Sequence, residues 1–142
     1  MLLTFFTIAT FSLWNCSSSG DPEPELTEEE IQINKLARTW TLGTVMYGDD
    51  DVTERFADFR LTFTKSKQYT ATGNLGDYDF EPFKPSGTWD FKSANVNLIN
   101  RNDGVDMAAQ VSDDALVLIF SMTEANGRIA GLGAYRFDLV AE

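Results

Sequence analysis

Residues 1–15 (MLLTFFTIATFSLWN) carry no charge and are mostly apolar. That is the length of a signal-peptide core and falls short of the roughly 20 residues a bilayer-spanning helix needs. The pattern breaks at residues 17–25 (SSSGDPEPE), where Pro22 and Pro24 oppose helix and Ser and Gly keep the backbone free. This stretch reads as a solvated tether. Residues 26–38 then carry a helix start. Thr27 is placed to cap, Glu30 stands three residues on to complete a capping box, and Leu26 with Ile31 is spaced for a hydrophobic staple. Ile33, Leu36, Ala37 and Trp40 give the helix one apolar side. So short a helix covers one end of a sheet structure and does not build a bundle.

Beyond Trp40 the period changes to two, and strands follow one another between turn residues. Residues 40–47 form the first, stopped by Gly48-Asp49-Asp50-Asp51. In 59–64, Phe59, Leu61 and Phe63 share a face, and 68–73 return after Lys65-Ser66-Lys67. A looser stretch through 77–85 leads into 87–91, with Gly87, Trp89 and Phe91 on one side. Residues 95–101 end at Asn102-Asp103-Gly104, a strong hairpin signal. In 105–111 Val105, Met107, Ala109 and Val111 lie together, 115–122 are nearly all apolar, and Asn126-Gly127 turns the chain into 129–140. Eight strands joined by hairpin-length connections predict an antiparallel meander, because parallel pairing needs long crossovers. The expected fold is all-β: an eight-stranded antiparallel meander closing into a barrel, with a short N-terminal helix. A two-sheet β-sandwich is the alternative.

The chain has 142 residues and is 43% hydrophobic, enough for one core. Domain organisation follows the pattern: residues 1–15 as a signal peptide, 16–25 as the cysteine and an acidic tether, and 26–142 as the β-barrel domain. The net charge is -11, but six of the 22 acids lie between residues 21 and 30. Elsewhere 16 acids face 11 bases, an ordinary soluble surface with no basic stripe, so no nucleic-acid partner is expected. There is no histidine, which removes the Ser-His-Asp and Cys-His arrangements and the usual zinc sites.

Candidate chemistry is sparse. Asp49, Asp50, Asp51 and Glu54 offer carboxylate oxygens, yet lack the alternating acids and the glycine of a calcium loop, so a solvated turn is the favoured reading. Asp77 and Asp79 are the nearest thing to a catalytic carboxylate pair, with nothing to mark either as perturbed. No enzyme activity, metal or cofactor is expected. Trp40, Phe59, Phe63, Trp89, Phe91, Phe120, Tyr135 and Phe137 are the candidates to line an apolar ligand cavity, with core filling as the competing use. Gly131 and Gly133 would leave room beside them. Residues 115–122 are apolar on both faces; one face is expected under the helix, the alternative being an exposed contact patch.

Leu13-Trp14-Asn15-Cys16 resembles a bacterial lipoprotein box, at the end of the one long apolar run and on the only cysteine. The resemblance implies that Cys16 becomes the first mature residue and carries acyl chains, which anchor a protein stably when several are present. The Ser- and acid-rich residues after it are similar to those of surface-exposed lipoproteins of Bacteroides-type bacteria. The rest of the chain resembles the lipocalin-like domain of small lipoproteins of the same group. The likeness rests on Leu36-Ala37-Arg38-Thr39-Trp40, on Leu61-Thr62-Phe63 with Gln68-Tyr69-Thr70, on Ser86-Gly87-Thr88-Trp89-Asp90-Phe91, and on Arg136 in the last strand. It implies a lipocalin-like barrel, with Arg136 packed on Trp40. It further implies a lipid-anchored protein at the outer membrane, on the cell surface or its periplasmic face. Such a module binds a small apolar or amphipathic ligand or, alternatively, acts as an accessory lipoprotein through protein contact.

Overall fold

The computed structural model describes residue 20 and residues 22–76, 81–122 and 134–142. The expected signal peptide, Cys16, the Asp77/Asp79 pair, Gly131 and Gly133 lie outside the described residues.

Helix α1 (Glu28–Leu36) begins as its sequence requires. The Thr27 hydroxyl accepts from the Glu30 amide at 3.2 Å, and the Thr27 amide donates to the Glu30 carboxylate at 2.8 Å. Leu26 and Ile31, expected to clasp as a staple, are both exposed. At the other end the Leu36 carbonyl accepts from the Trp40 indole N–H at 3.0 Å, which ties the helix to the first strand.

The strands are β1 (Thr39–Tyr47), β2 (Asp50–Asp51), β3 (Arg60–Phe63), β4 (Gln68–Thr72), β5 (Ser86–Lys92), β6 (Asn95–Arg101), β7 (Asp106–Val111), β8 (Ala115–Phe120) and β9 (Tyr135–Ala141). They form one antiparallel sheet in the order β2-β1-β3-β4-β5-β6-β7-β8-β9. β9 also pairs with β1, from Trp40↔Ala141 to Tyr47↔Tyr135. That pairing closes eight strands into a barrel and excludes the two-sheet sandwich. β2 is an extra two-residue strand on the far end of β1, where the sequence reads as a turn. A 3₁₀ helix (Thr53–Phe56) follows it.

Closure has a local cost that glycine meets. The β1–β9 register shifts between Leu42 and Thr44, and a Cβ on Gly43 would fall 2.6 Å from the Asp138 carbonyl oxygen. The two barrel ends differ. The helix end has tight connections, including the β5–β6 turn, in which Ser93 and Ala94 are both left-handed (φ 53° and 57°). At the other end the chain leaves the barrel at Tyr47, Thr72 and Phe120 and re-enters it at Arg60, Ser86 and Tyr135, each after a long connection.

Inward residues alternate with outward ones along the strands, most cleanly in β4, where Tyr69 and Ala71 are buried between exposed neighbours. In β8 Leu116, Leu118 and Phe120 enter the core, while Ala115, Val117 and Ile119 lie outside. α1 packs chiefly against β6 and β7, so it does not cover the outer face of β8, and Ile119 is 36% exposed.

Candidate binding site at the loop end of the barrel

Seven of the eight expected cavity residues are buried, and they fall into two groups. Phe59, Phe120, Tyr135 and Phe137 gather towards the loop end. Phe137 lies 5.3 Å from Phe59 and 5.8 Å from Phe120, ring centre to ring centre. Trp40, Phe63 and Trp89 belong to the lower barrel, with Phe63 and Trp89 edge-to-face at 5.6 Å. Phe91 is the exception: it is half-buried near the helix end, its ring 5.3 Å from Trp89 and 5.8 Å from the Lys67 ammonium.

Two rings the sequence pattern did not single out complete the loop-end cluster. Phe56, from the 3₁₀ helix, meets Phe137 edge-on at 5.1 Å. Phe83, from the segment between β4 and β5, lies 5.4 Å from each of Phe59, Phe120 and Phe137. Both come from irregular segments, where hydrophobic period carries no signal. The only cue for Phe83 is its position as a lone aromatic between Pro82 and Pro85. Such edge-to-face packing adds to the burial energy of each ring.

The polar members of this end were also missed. Arg101, the last residue of β6, has a side chain fully removed from solvent. Its guanidinium bonds both carboxylate oxygens of Asp103, through Nε at 3.0 Å and through Nη2. Nη1 donates to the Pro82 carbonyl at 2.6 Å. The same group lies 4.9 Å from the Phe83 ring centre and 5.6 Å from that of Tyr69. A signal was present, since alternation from buried Ile99 places Arg101 on the inward face. Burial pushes the Asp103 carboxyl up. The bond and charge of Arg101, the Val105 amide and the charge of Lys84 outweigh it and hold the group below the usual carboxylate value.

Tyr69 borders the same pair. Its hydroxyl is buried and has no hydrogen-bond partner among the described residues, and burial raises its pKa. The loop end thus combines an aromatic interior with one neutralised cation and one unpartnered hydroxyl.

Other candidates behave as ordinary surface. The Asp51 carboxylate is occupied by Thr53, accepting from its amide at 2.9 Å and its hydroxyl at 2.6 Å. Among the described residues no group of three acids or cysteines stands close enough to hold a metal. An open groove of about 720 Å³ runs between Tyr47 and Arg55, and another of about 510 Å³ lies between Gln32 of α1 and Val111 and Val117. Among the described residues no helix is long and apolar enough to cross a membrane.

The basic residue over the first-strand tryptophan is Arg38, whose guanidinium carbon lies 5.4 Å from the Trp40 ring centre. Arg136, expected there, points outward and is bound to Asp138 at 2.8 Å. Comparisons with protein-family models, with curated proteins and with solved structures find no match to this chain.

Proposed function

We propose that the protein is a lipid-anchored, extracytoplasmic, lipocalin-like module that binds a small apolar or amphipathic ligand at its loop end. One observation carries the reading: the buried Arg101, the half-buried Asp103 and the Tyr69 hydroxyl, unpartnered among the described residues, border an apolar interior rich in aromatic rings. A few placed polar groups among apolar walls is the usual make-up of a small-molecule site. The direction of the chain supports the same reading. Glu29 of α1 bonds Lys67 in the β3–β4 turn at 2.7 Å, so the tether from Cys16 joins the barrel at the end opposite the long connections. An anchored barrel then turns its loop end away from the membrane, at the cell surface or in the periplasm. Because Phe83 packs among Phe59, Phe120 and Phe137 at the loop end, binding there works by rearrangement of these rings.

Cys16→Ala tests the anchor: the variant is expected in the soluble fraction, and unchanged membrane partitioning sinks it. Organic extraction of protein purified from membranes, followed by mass spectrometry, tests ligand carriage. One recurrent apolar species is expected; repeated empty extracts from folded protein count against it.

A second reading, an accessory lipoprotein acting by protein contact, is favoured by the outer face of β8 and β9. Ile119 and Val140 stand 36% and 47% exposed there. Ile119→Lys would abolish such a contact and leave ligand recovery unchanged.

A further inference from the structure

Residues 81–85 enter the loop end of the barrel as a ligand would. Pro82 and Phe83 are buried while Glu81, Lys84 and Pro85 are exposed, so the segment dips in and out again. The Phe83 ring sits among Phe59, Phe120 and Phe137, and the carbonyl just before it accepts from Arg101. Among the described residues few other bonds hold the segment. Pro82 and Pro85 have no N–H to donate, and the Pro85 carbonyl accepts from the Ala71 amide at 2.9 Å. Among the described residues the segment is held by the buried Pro82 and Phe83 and by two accepted hydrogen bonds, and a stretch with so few backbone bonds belongs to the low-stability part of a fold.

Resting on the functional reading above, we propose that Pro82–Phe83 is a displaceable self-occupant of this site, whose external ligand is an aromatic or similarly bulky apolar group bearing a neutral carbonyl. The neutrality follows from charge. Asp103 already balances Arg101, so an anionic head would bring a second, uncompensated carboxylate into a buried place. A neutral acceptor inherits the Arg101 Nη1 donor from Pro82. The Tyr69 ring lies 5.6 Å from the Arg101 guanidinium carbon and 6.3 Å from the Phe83 ring, and its hydroxyl, without a partner among the described residues, supplies a second donor.

The self-occupant lowers apparent affinity by the fraction of time it is seated. The test compares the full chain with its Phe83→Ala variant by calorimetry. The titrants are N-benzylacetamide, which has a ring and a neutral carbonyl, and propylbenzene, which lacks the carbonyl. Folding of the variant is checked by near-ultraviolet circular dichroism. Phe83→Ala is expected to bind N-benzylacetamide at least tenfold more tightly than the unaltered chain, and at least tenfold more tightly than it binds propylbenzene. Equal binding of the two titrants overturns the proposal, since a plain core cavity takes any apolar guest.

Hydrogen exchange on the unaltered chain needs no variant. The Ala71 amide is expected to exchange at least tenfold faster than the amides of β8, and exchange only by global unfolding overturns the proposal. Cys16→Ala partitioning and ligand extraction are read separately, so failure here is distinct from failure of the module itself.

Discussion

The ring of Tyr69 lies across Gly87 on the neighbouring strand, in the place where any other residue would put its side chain. Tyr69 and Gly87 are register partners of β4 and β5. A Cβ on Gly87 would fall 2.6 Å from the Tyr69 ring and 2.5 Å from the Asn102 side-chain oxygen. The glycine before Thr88-Trp89 is therefore a packing requirement: it lets Tyr69 lie flat beside Arg101.

Gly87→Ala is accordingly expected to cost about 1–3 kcal/mol, the usual penalty for forcing an extra methyl into a packed site. Urea unfolding measures it, and a loss under about 0.5 kcal/mol would show that the ring moves aside freely.

Asp103→Asn removes the charge that balances a fully buried guanidinium. Breaking such a pair from one side costs about 3–5 kcal/mol, because the remaining charge is stranded. Replacing Arg101 and Asp103 together by Met and Leu is expected to cost less than Asp103→Asn alone, as read by the two unfolding midpoints.

Trp40→Phe keeps most of the ring but leaves the buried Leu36 carbonyl without its indole donor. The same carbonyl still accepts from the Arg38 amide at 2.8 Å, so the expected loss is that of one hydrogen bond, about 0.5–1.5 kcal/mol. Arg38→Ala also loses a bond, from Nη1 to the Asp113 carbonyl at 2.6 Å, and should lower the thermal midpoint more than Arg136→Ala.

Stability against pH follows from the carboxylates. Asp103, Asp90, Asp106 and Asp138 are all held below the usual carboxylate value. For Asp90, Asp106 and Asp138 the largest cause is a bond from a cation, Lys67, Lys92 and Arg136 respectively. A depressed folded pKa stabilises the fold above the unfolded value of about 3.9, and that stabilisation is lost as pH falls through the folded value. Lys67 is raised, chiefly by its bonds to Asp90 and Glu29, so its contribution persists until strongly alkaline pH. With no histidine to titrate, the unfolding free energy should be flat between about pH 5 and 8 and fall below about pH 4. A slope near pH 6.5 would contradict this assignment.

Much of the fold was legible because it depends on neighbours a few residues apart. The Thr27–Glu30 capping box formed as the spacing required. Asn102-Asp103-Gly104 turns β6 into β7, with Gly104 left-handed at φ 85°. Alternation placed Phe63, Trp89, Phe120 and Phe137 inside. The last strand begins later among the described residues than the expected 129, at Tyr135.

What failed was register and the filling of the loop end. Arg136 cannot reach Trp40 because β9 pairs so that Trp40 faces Ala141, while Arg136 faces Met46, roughly 20 Å up the strand. No pattern within one strand sets that offset; it comes from the whole closed ladder.

The sequence by itself determined the helix, the eight main strands, their antiparallel succession and the barrel they close. These follow from local capping, turn chemistry and period-two alternation. Only the tertiary structure decided that Phe56 and Phe83 occupy the loop end, that Arg101 lies buried against Asp103 and Pro82, and that Tyr69 covers Gly87. Those placements depend on residues brought together by closure, where position in space, not spacing along the chain, decides which side chains share a site.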